Sequence, residues 1–217
     1  MTVNGAADSE RPLVLIVDDD KQVREALSEL MLSVDLETAC FGSTRELLDA
    51  PLPARPGCLI LDVRLPGLSG LDFQQHLVST GNAKPIVFLT AHGDIPMSVQ
   101  AMKAGAVDFL TKPVRDQTLI DAVMIGIERD IAQHAAARAA KQYIDRYGTL
   151  TPRERQVLRE VTSGRVNKQI AFELGISEIT VKLHRSNLMR KMHAASVGDL
   201  VRAWEVLPAG LRDREHT

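Results

Sequence analysis

The chain has 217 residues, 45% of them hydrophobic and 25% charged, which suits a soluble globular protein of one large or two modest domains. No apolar run approaches the roughly 20 residues that cross a membrane, and the N-terminus is polar, so we expect a cytoplasmic protein with no membrane partner. The net charge of −2 is uneven: residues 1–121 carry an acidic excess that suits a cation site, and residues 149–217 carry a basic excess that suits a polyanion.

Residues 13–121 alternate short apolar runs with segments of helical spacing. The apolar runs predict strands at residues 13–17, 36–41, 58–61, 85–90 and 107–111. The helical segments begin after Asp20 and recur at residues 43–48, 71–78, 95–103 and 116–147. The third run has Pro-Gly on both sides, as a buried strand of a parallel sheet often does. We therefore predict an α/β fold with a doubly wound five-stranded parallel sheet in the flavodoxin-like order 2-1-3-4-5.

Polar residues end four of these strands. Asp18 and Asp19 follow the first strand, Asp62 follows the third, Thr90 ends the fourth and Lys112 follows the fifth. Because the carboxyl ends of parallel strands lie at one edge of a sheet, we expect the five side chains to converge. A carboxylate nucleophile beside a cation is what phosphoryl transfer requires. We predict that Asp62 accepts a phosphoryl group whose oxygens contact Lys112 and Thr90.

The same carboxylates predict a metal site, because three like charges repel one another unless a cation or a proton intervenes. Mg²⁺ fits, since it prefers oxygen ligands and keeps several waters, and Mn²⁺ is the alternative. We expect Asp19, Asp62 and the backbone carbonyl of Arg64 to be direct ligands, and Asp18 to act through water.

The rest of the chain is helical in pattern. Thr151-Pro152-Arg153-Glu154 predicts a helix start with a capping box. Helices at 167–174 and 178–192, joined by a three-residue turn that contains Gly175, indicate a helix-turn-helix. A last helix at 196–206 precedes a tail that we expect to be frayed. The predicted parts are an α/β domain at 12–125, a helical linker at 126–148 and a small all-α helix-turn-helix domain at 149–208.

Nearly all of residues 12–125 resemble the receiver domain of bacterial two-component response regulators, and the segments His92–Met97 and Ala101–Phe109 closely resemble the FixJ-type subgroup. The matching segments are Val17-Asp18-Asp19, Leu61–Gly70, Thr90-Ala91, His92–Met97, Ala101–Phe109 and Thr111-Lys112-Pro113. The resemblance implies that a partner histidine kinase phosphorylates Asp62 and that the Lys112–Pro113 bond is cis. It also implies that Thr90 and Phe109 form a switch, in which Phe109 turns inward when Thr90 moves toward the phosphoryl group.

A phosphorylation-induced homodimer is expected on the surface next to this switch. The residues that we assign to this surface are Val99, Met102, Lys103, Val107 and Phe109.

Residues 149–206 resemble the LuxR/NarL-type DNA-binding domain, which implies a regulator that binds double-stranded promoter DNA and acts with RNA polymerase. Lys182, Leu183 and Ser186 stand at the base-reading positions of that family. The candidates for phosphate contacts are Lys168, Thr180, His184, Arg185, Arg190 and Lys191. On the same helix we expect Ile179, Val181, Leu188 and Met192 to face the domain core.

Two other functions use the same residues. A Mg²⁺-dependent phosphatase with an aspartyl nucleophile would share the carboxylates, Thr90 and Lys112, but it usually needs a general acid where this chain has Arg64. A regulator that works without phosphate would need no complete site of this kind. Both cysteines, Cys40 and Cys58, are isolated and lie in apolar surroundings, so we expect buried thiols rather than metal ligands.

Overall fold

The computed structural model describes residues 11–53, 55–81 and 84–212, and the chain divides into two compact units at residues 134 and 135. The strands of the first unit are β1 (Leu13–Val17), β2 (Glu37–Phe41), β3 (Gly57–Leu61), β4 (Ile86–Thr90) and β5 (Asp108–Thr111). The helices are α1 (Lys21–Leu32), α2 (Thr44–Asp49), α3 (Gly70–Ser79) and α4 (Ile95–Lys103), followed by α5 (Asp116–Gly148), which extends into the second unit.

The strands pair in parallel in the order β2-β1-β3-β4-β5, which confirms the predicted fold class. Val17 of β1 is in register with Leu61 of β3, so the residues after these two strands leave the sheet side by side. Thr90 of β4 is likewise in register with Thr111 of β5. The register therefore brings the predicted polar residues to one edge of the sheet.

Two apolar clusters fill the space on either face of this sheet. One cluster includes Phe73 of α3 and Phe88 of β4, and it extends to α2 and α4. The other includes Met31 of α1 and Leu119 of α5. Burial of apolar surface on both faces accounts for the nearly continuous apolar runs of the central strands.

Side-chain caps determine where several helices begin. Asp20 accepts a hydrogen bond from the backbone amide of Gln22 at 2.8 Å, and Ser43 accepts one from that of Glu46 at 3.2 Å. Both are N-caps, which satisfy amides that the first helical turn leaves free. Asp20 is thus explained by α1, whereas Asp18 and Asp19 need another explanation.

Asp130 ties α5 to the edge of the sheet opposite the strand ends. Asp130 is 3% exposed, and its carboxylate accepts hydrogen bonds from the Gly57 amide and from Lys84 Nζ, both at 2.7 Å. Lys84 also donates to the carbonyl of Arg55 at 2.9 Å. A buried carboxylate needs such partners, because burying a charge without them is costly.

The second unit is helical throughout its described residues. It contains α6 (Pro152–Thr162), α7 (Asn167–Leu174), α8 (Glu178–Met192), α9 (Val197–Val206) and α10 (Ala209–Arg212). The capping box of α6 is present: Thr151 Oγ accepts from the Glu154 amide, and Glu154 accepts from the Thr151 amide. Val157, Ile170, Val181 and Leu188 are fully buried in the core that these helices share. Among the described helices, none has the length and apolar character of a membrane span.

Two expectations about this fold are wrong. Cys40 is exposed, because it lies on the edge strand β2. Cys58 is buried as expected, and burial raises the pKa of its thiol to about 12. The tail predicted to be frayed contains α10, whose Leu211 carbonyl accepts a hydrogen bond from the Tyr147 hydroxyl at 3.2 Å. The rest of that tail, residues 213–217, lies outside the described residues.

Candidate functional site

Three carboxylates meet at the carboxyl ends of β1 and β3. Asp18, Asp19 and Asp62 each offer an oxygen atom, and these three atoms lie within 4.8 Å of one another. Asp18 and Asp62 are buried and Asp19 is exposed. The arrangement opens to solvent on the Asp19 side, so a ligand can approach the two buried acids from that side.

Lys112 joins the two buried carboxylates. Its Nζ donates to Asp18 Oδ2 at 2.5 Å and to Asp62 Oδ2 at 3.1 Å. Partial burial lowers the pKa of Lys112, but its hydrogen bonds and charge interactions with Asp18 and Asp62 outweigh that effect, and the pKa is raised. Lys112 is therefore a fixed positive charge at neutral pH. The peptide bond that follows it is cis, as the resemblance implies.

Asp62 is held by the loop that follows it. The backbone amide of Arg64 donates to Asp62 Oδ1 at 3.0 Å, so each carboxylate oxygen has a partner. Gly70, the first residue of α3, packs against this strand end: a Cβ there would lie 2.3 Å from the carbonyl oxygen of Asp62. The second glycine of the sequence motif is thus required by close packing of two backbones.

Thr90 and Phe109 occupy neighbouring strands near the carboxylates. Thr90 is fully buried, and its hydroxyl oxygen accepts a hydrogen bond from the His92 amide at 3.3 Å. Phe109 is half-buried, with its ring centre 5.8 Å from that of Phe88. A Cβ on Gly93 would lie 2.7 Å from the Phe109 ring. The β4–α4 loop therefore packs directly against the aromatic side chain that the sequence predicts to be a switch.

The donor set of this site fits a divalent cation. Three carboxylates and one ammonium group carry a net charge of −2, and all the ligand atoms that the acids offer are oxygens, which Mg²⁺ and related ions prefer. The residues of the predicted set thus fit a cation, and the place of the Arg64 carbonyl in it stays a prediction.

In the second unit, α8 has one exposed and one buried face. Lys182, Leu183 and Ser186, the predicted base-reading residues, are all exposed on it. Val181, Leu188 and Met192 are buried, as expected. The expectation for Ile179 is wrong: its side chain is 79% exposed. It stands two residues before Val181, and a two-residue step on a helix reverses the face.

Two families match the chain, one over each part. The response regulator receiver domain matches residues 14–124, and the luxR family of bacterial regulatory proteins matches residues 148–204. The chain belongs to the luxR-type response regulators. The recognition made from sequence motifs is confirmed.

Relatives that match nearly the full length support this assignment. Nodulation protein W of Bradyrhizobium diazoefficiens is 49% identical over 209 residues, which cover 96% of this chain and 92% of the relative. Response regulator protein TodT of Pseudomonas putida F1 is 47% identical over 92% of this chain and 88% of its own length. The low-resolution structure of response regulator StyR is 45% identical, with a TM-score of 0.79 over 90% of this chain and 98% of that one. This response regulator is therefore a transcriptional regulator that combines a receiver domain with a luxR-type DNA-binding domain.

The candidate phosphate contacts of this response regulator differ in their surroundings. Lys168 and Arg190 are exposed, and His184 is half-buried. The Thr180 hydroxyl pairs with that of Ser177 at 2.8 Å, and Arg185 donates to Asn167 Oδ1 at 2.9 Å. Because Arg185 has several other N–H groups, this bond leaves donors for a phosphate.

Lys191 has a structural role that the sequence did not reveal. Its Nζ donates to Glu154 Oε2 at 2.6 Å and to the Thr149 carbonyl at 3.2 Å, and Glu154 is buried. Burial raises the pKa of Glu154, but its bonds to Lys191 and Thr151 prevail and lower it. Lys191 therefore stabilises the start of α6, and two of its three N–H donors are already bound there rather than free for a DNA phosphate.

The exposed apolar surface of α4 differs from the predicted dimer surface in two residues. Ile95 and Val99, with Met102, form an exposed apolar stripe on α4 at helical spacing, and Ile95 had not been assigned to any surface. Val107, predicted to lie on that surface, is buried because it packs with α5. The spacing of Ile95 from Val99 was the signal available in the sequence.

Proposed function

We propose that this response regulator accepts a phosphoryl group on Asp62 from a histidine kinase and in response binds promoter DNA through residues 149–208. The observation that carries the proposal is the position of Asp62, hydrogen-bonded to Lys112 and within 4.8 Å of two further carboxylates. We further propose a cytoplasmic location, RNA polymerase as a partner, and domain bounds of 12–125 and 149–208 with a linker at 126–148. The first turns of that linker, up to His134, pack with the first domain, because Asp130 binds the Gly57 amide.

The transfer itself needs little more than position and charge. A carboxylate oxygen of Asp62 attacks the phosphorus of the kinase phosphohistidine, the new O–P bond forms as the N–P bond breaks, and the imidazole regains a proton from water. Lys112 remains charged throughout, so it stabilises the negative charge on the phosphoryl oxygens. The Thr90 hydroxyl, at present an acceptor for the His92 amide, can rotate to donate to one of these oxygens.

A bound Mg²⁺, or Mn²⁺ in its place, would neutralise charge between the carboxylates and the phosphoryl oxygens. Asp19, Asp62 and the Arg64 carbonyl would hold it directly, and Asp18 through water.

The site favours a stable phosphorylated state over repeated turnover. Arg64 stands two residues after Asp62, and an arginine at neutral pH does not donate the proton that a general acid must supply. Its side chain is exposed and its backbone amide is bound to Asp62. A phosphatase would hydrolyse phosphate esters repeatedly, whereas we expect one phosphoryl group per chain, lost slowly.

The switch would couple the phosphoryl group to α4. When Thr90 moves toward the phosphoryl oxygens, it vacates space beside Phe109, which can then turn inward. The ring leaves its contact with Gly93, so the loop before α4 changes its packing. Interiors are close-packed, so a small local change of this kind requires neighbours to rearrange.

We expect the phosphorylated chain to dimerise through the exposed stripe of Ile95, Val99 and Met102. Treatment with a small-molecule phosphodonor and Mg²⁺ should double the mass that light scattering measures. Val99→Lys should prevent the doubling, because dimerisation would then bury an unpaired charge. The matched control is Val34→Lys, at a valine after α1 that is 38% exposed against 45% for Val99, and this variant should still dimerise. A treated wild-type protein that stays monomeric would refute dimerisation alone.

The exposed face of α8 would read bases in the major groove. Lys182 can donate to guanine, and Leu183 can contact the methyl group of thymine. The phosphate contacts that we propose are Lys168, Thr180, His184, Arg185 and Arg190, with Ser186 as a third reading residue.

Lys182→Ala should weaken binding to a specific DNA site by about 1–3 kcal/mol, because one base contact is lost. A gel-shift titration against selected and random duplexes measures this. Lys141→Ala removes an exposed lysine of α5 and serves as the control for net charge. Affinity equal to that of the wild type would remove Lys182 from the reading set.

The experiment that tests the whole proposal is selection of DNA sites from a random pool, with and without the phosphodonor. We expect a shared sequence to be enriched only, or far more strongly, by treated protein. Equal enrichment by untreated protein would favour the regulator that works without phosphate.

A further inference from the structure

The exposed face of α8 extends closer to the start of the helix than the proposed base-reading residues do. Ile179, Lys182, Leu183 and Ser186 are all exposed, and they recur at the spacing of one helical face. The buried face consists of Val181, Leu188 and Met192. Ile179 therefore lies on the same face as Lys182 and Leu183, one turn closer to the start of the helix.

The fold itself gives no reason for an isoleucine at this position. The Ile179 side chain is 79% exposed and Leu183 is 60% exposed, so neither contributes much to the core of this unit. Isoleucine is also a weaker helix former than the straight-chain residues that suit a solvent-facing helix. Two large apolar side chains four residues apart, with a lysine between them, form a surface with one positive and two apolar contact points.

This surface lies at the part of α8 that contacts DNA in helix-turn-helix domains. In a helix-turn-helix, the N-terminal residues of the second helix contact base edges. Ile179 is the second residue of that helix, just after the cap in which Ser177 accepts a hydrogen bond from the Thr180 amide at 3.1 Å. Among base edges, the C5-methyl group of thymine is the apolar feature of the major groove.

We propose that Ile179 is a further specificity-determining residue, which contacts the methyl group of a thymine distinct from the one that Leu183 contacts. The inference rests on the proposed function of α8 in reading DNA. Four residues along a helix span about 6 Å, and successive base pairs are about 3.4 Å apart. The thymine of Ile179 therefore lies one or two base pairs from that of Leu183.

The test removes the methyl group from the DNA and the side chain from the protein in turn. The full-length protein, treated with the phosphodonor, is titrated against a duplex that it selected from a random pool, with each thymine replaced singly by deoxyuridine. We expect replacement of the thymine that Ile179 contacts to weaken wild-type binding about threefold to tenfold, the scale of a buried methyl contact. Ile179→Ala should show the same loss on the unmodified duplex and no further loss with that replacement.

Two variants serve as controls. Leu183→Ala should become insensitive to deoxyuridine at a different thymine, which lies one or two base pairs from the thymine of Ile179. Val206→Ala removes an exposed apolar side chain from α9 and should keep every sensitivity of the wild type. Binding to random duplexes should be the same for all the proteins, because phosphate contacts account for it.

Each result bears on one hypothesis or on both. The inference is overturned if Ile179→Ala binds the selected duplex as tightly as the wild type does. It is also overturned if this variant loses as much affinity for random duplexes as for the selected one, or if each deoxyuridine replacement weakens its binding as much as it weakens that of the wild type. In each of these cases the proposed function still holds, because the protein has selected a specific DNA site. If the wild type enriches no sequence, both the inference and the proposed function are refuted. If it enriches a site at which no deoxyuridine replacement weakens binding, the inference alone is refuted.

Discussion

Asp62→Asn is expected to abolish phosphoryl incorporation, because an amide lacks the nucleophilic oxygen of a carboxylate. Incubation with a small-molecule phosphodonor and Mg²⁺ should raise the mass of the wild-type protein by one phosphoryl group, and intact-protein mass spectrometry should find no such increase in the variant. The amide oxygen can still accept a hydrogen bond from the Arg64 amide, and Lys112 keeps its bond to Asp18, so the fold should be retained.

Asp121→Asn is the matched control, since Asp121 is an exposed carboxylate of α5 that lies outside the site. It should take up the phosphoryl group as the wild type does. Continued incorporation by Asp62→Asn would assign the acceptor to another residue, and steady release of phosphate by the wild type would favour the phosphatase.

Gly70→Ala is expected to disturb both stability and phosphorylation. The new Cβ would lie 2.3 Å from the carbonyl oxygen of Asp62 and 3.1 Å from the Val63 Cα, and both are backbone atoms that no side-chain rotation can move away. Overpacking of this kind costs about 1–3 kcal/mol or more. Because the clash is on Asp62 itself, a displaced carboxylate should also react about 100-fold more slowly. Thermal unfolding and the rate of mass increase measure the two effects.

Gly198→Ala provides the comparison, because the nearest atoms to a Cβ there are the ends of two side chains at 3.6 and 3.7 Å. It should leave the phosphorylation rate unchanged, since α9 has no part in the site. If Gly70→Ala is as stable and as reactive as the wild type, the loop between Asp62 and α3 has more freedom than its packing implies.

The sheet and the edge where the site lies were predictable because their signals are local. An apolar run followed at once by Asp62 identifies a strand and its end together, and alternation with helices determines that the strands are parallel. The signals for helix starts were equally local, because Ser43 and the Thr151–Glu154 pair form their capping hydrogen bonds within one helical turn. The convergence of Asp18 and Asp62 followed from strand order alone.

What was missed depends on contacts between distant segments. Lys191 and Glu154 lie 37 residues apart, and nothing in either sequence segment announces their ion pair. The error at Ile179 arose on a helix with apolar residues on both faces, where periodicity alone does not show which face is buried. Val107 was misplaced because its burial depends on packing with α5, which begins after the strand has ended.

The bonds of Asp130 determine where the first half of the chain can be separated from the second. A fragment that ends at residue 125 would keep every strand but lose the carboxylate that binds both the Gly57 amide and Lys84. Gly57 is the first residue of β3, the strand that leads to Asp62, so the loss would affect the strand next to the proposed acceptor. A fragment for expression by itself should therefore end beyond His134, where the first compact unit closes.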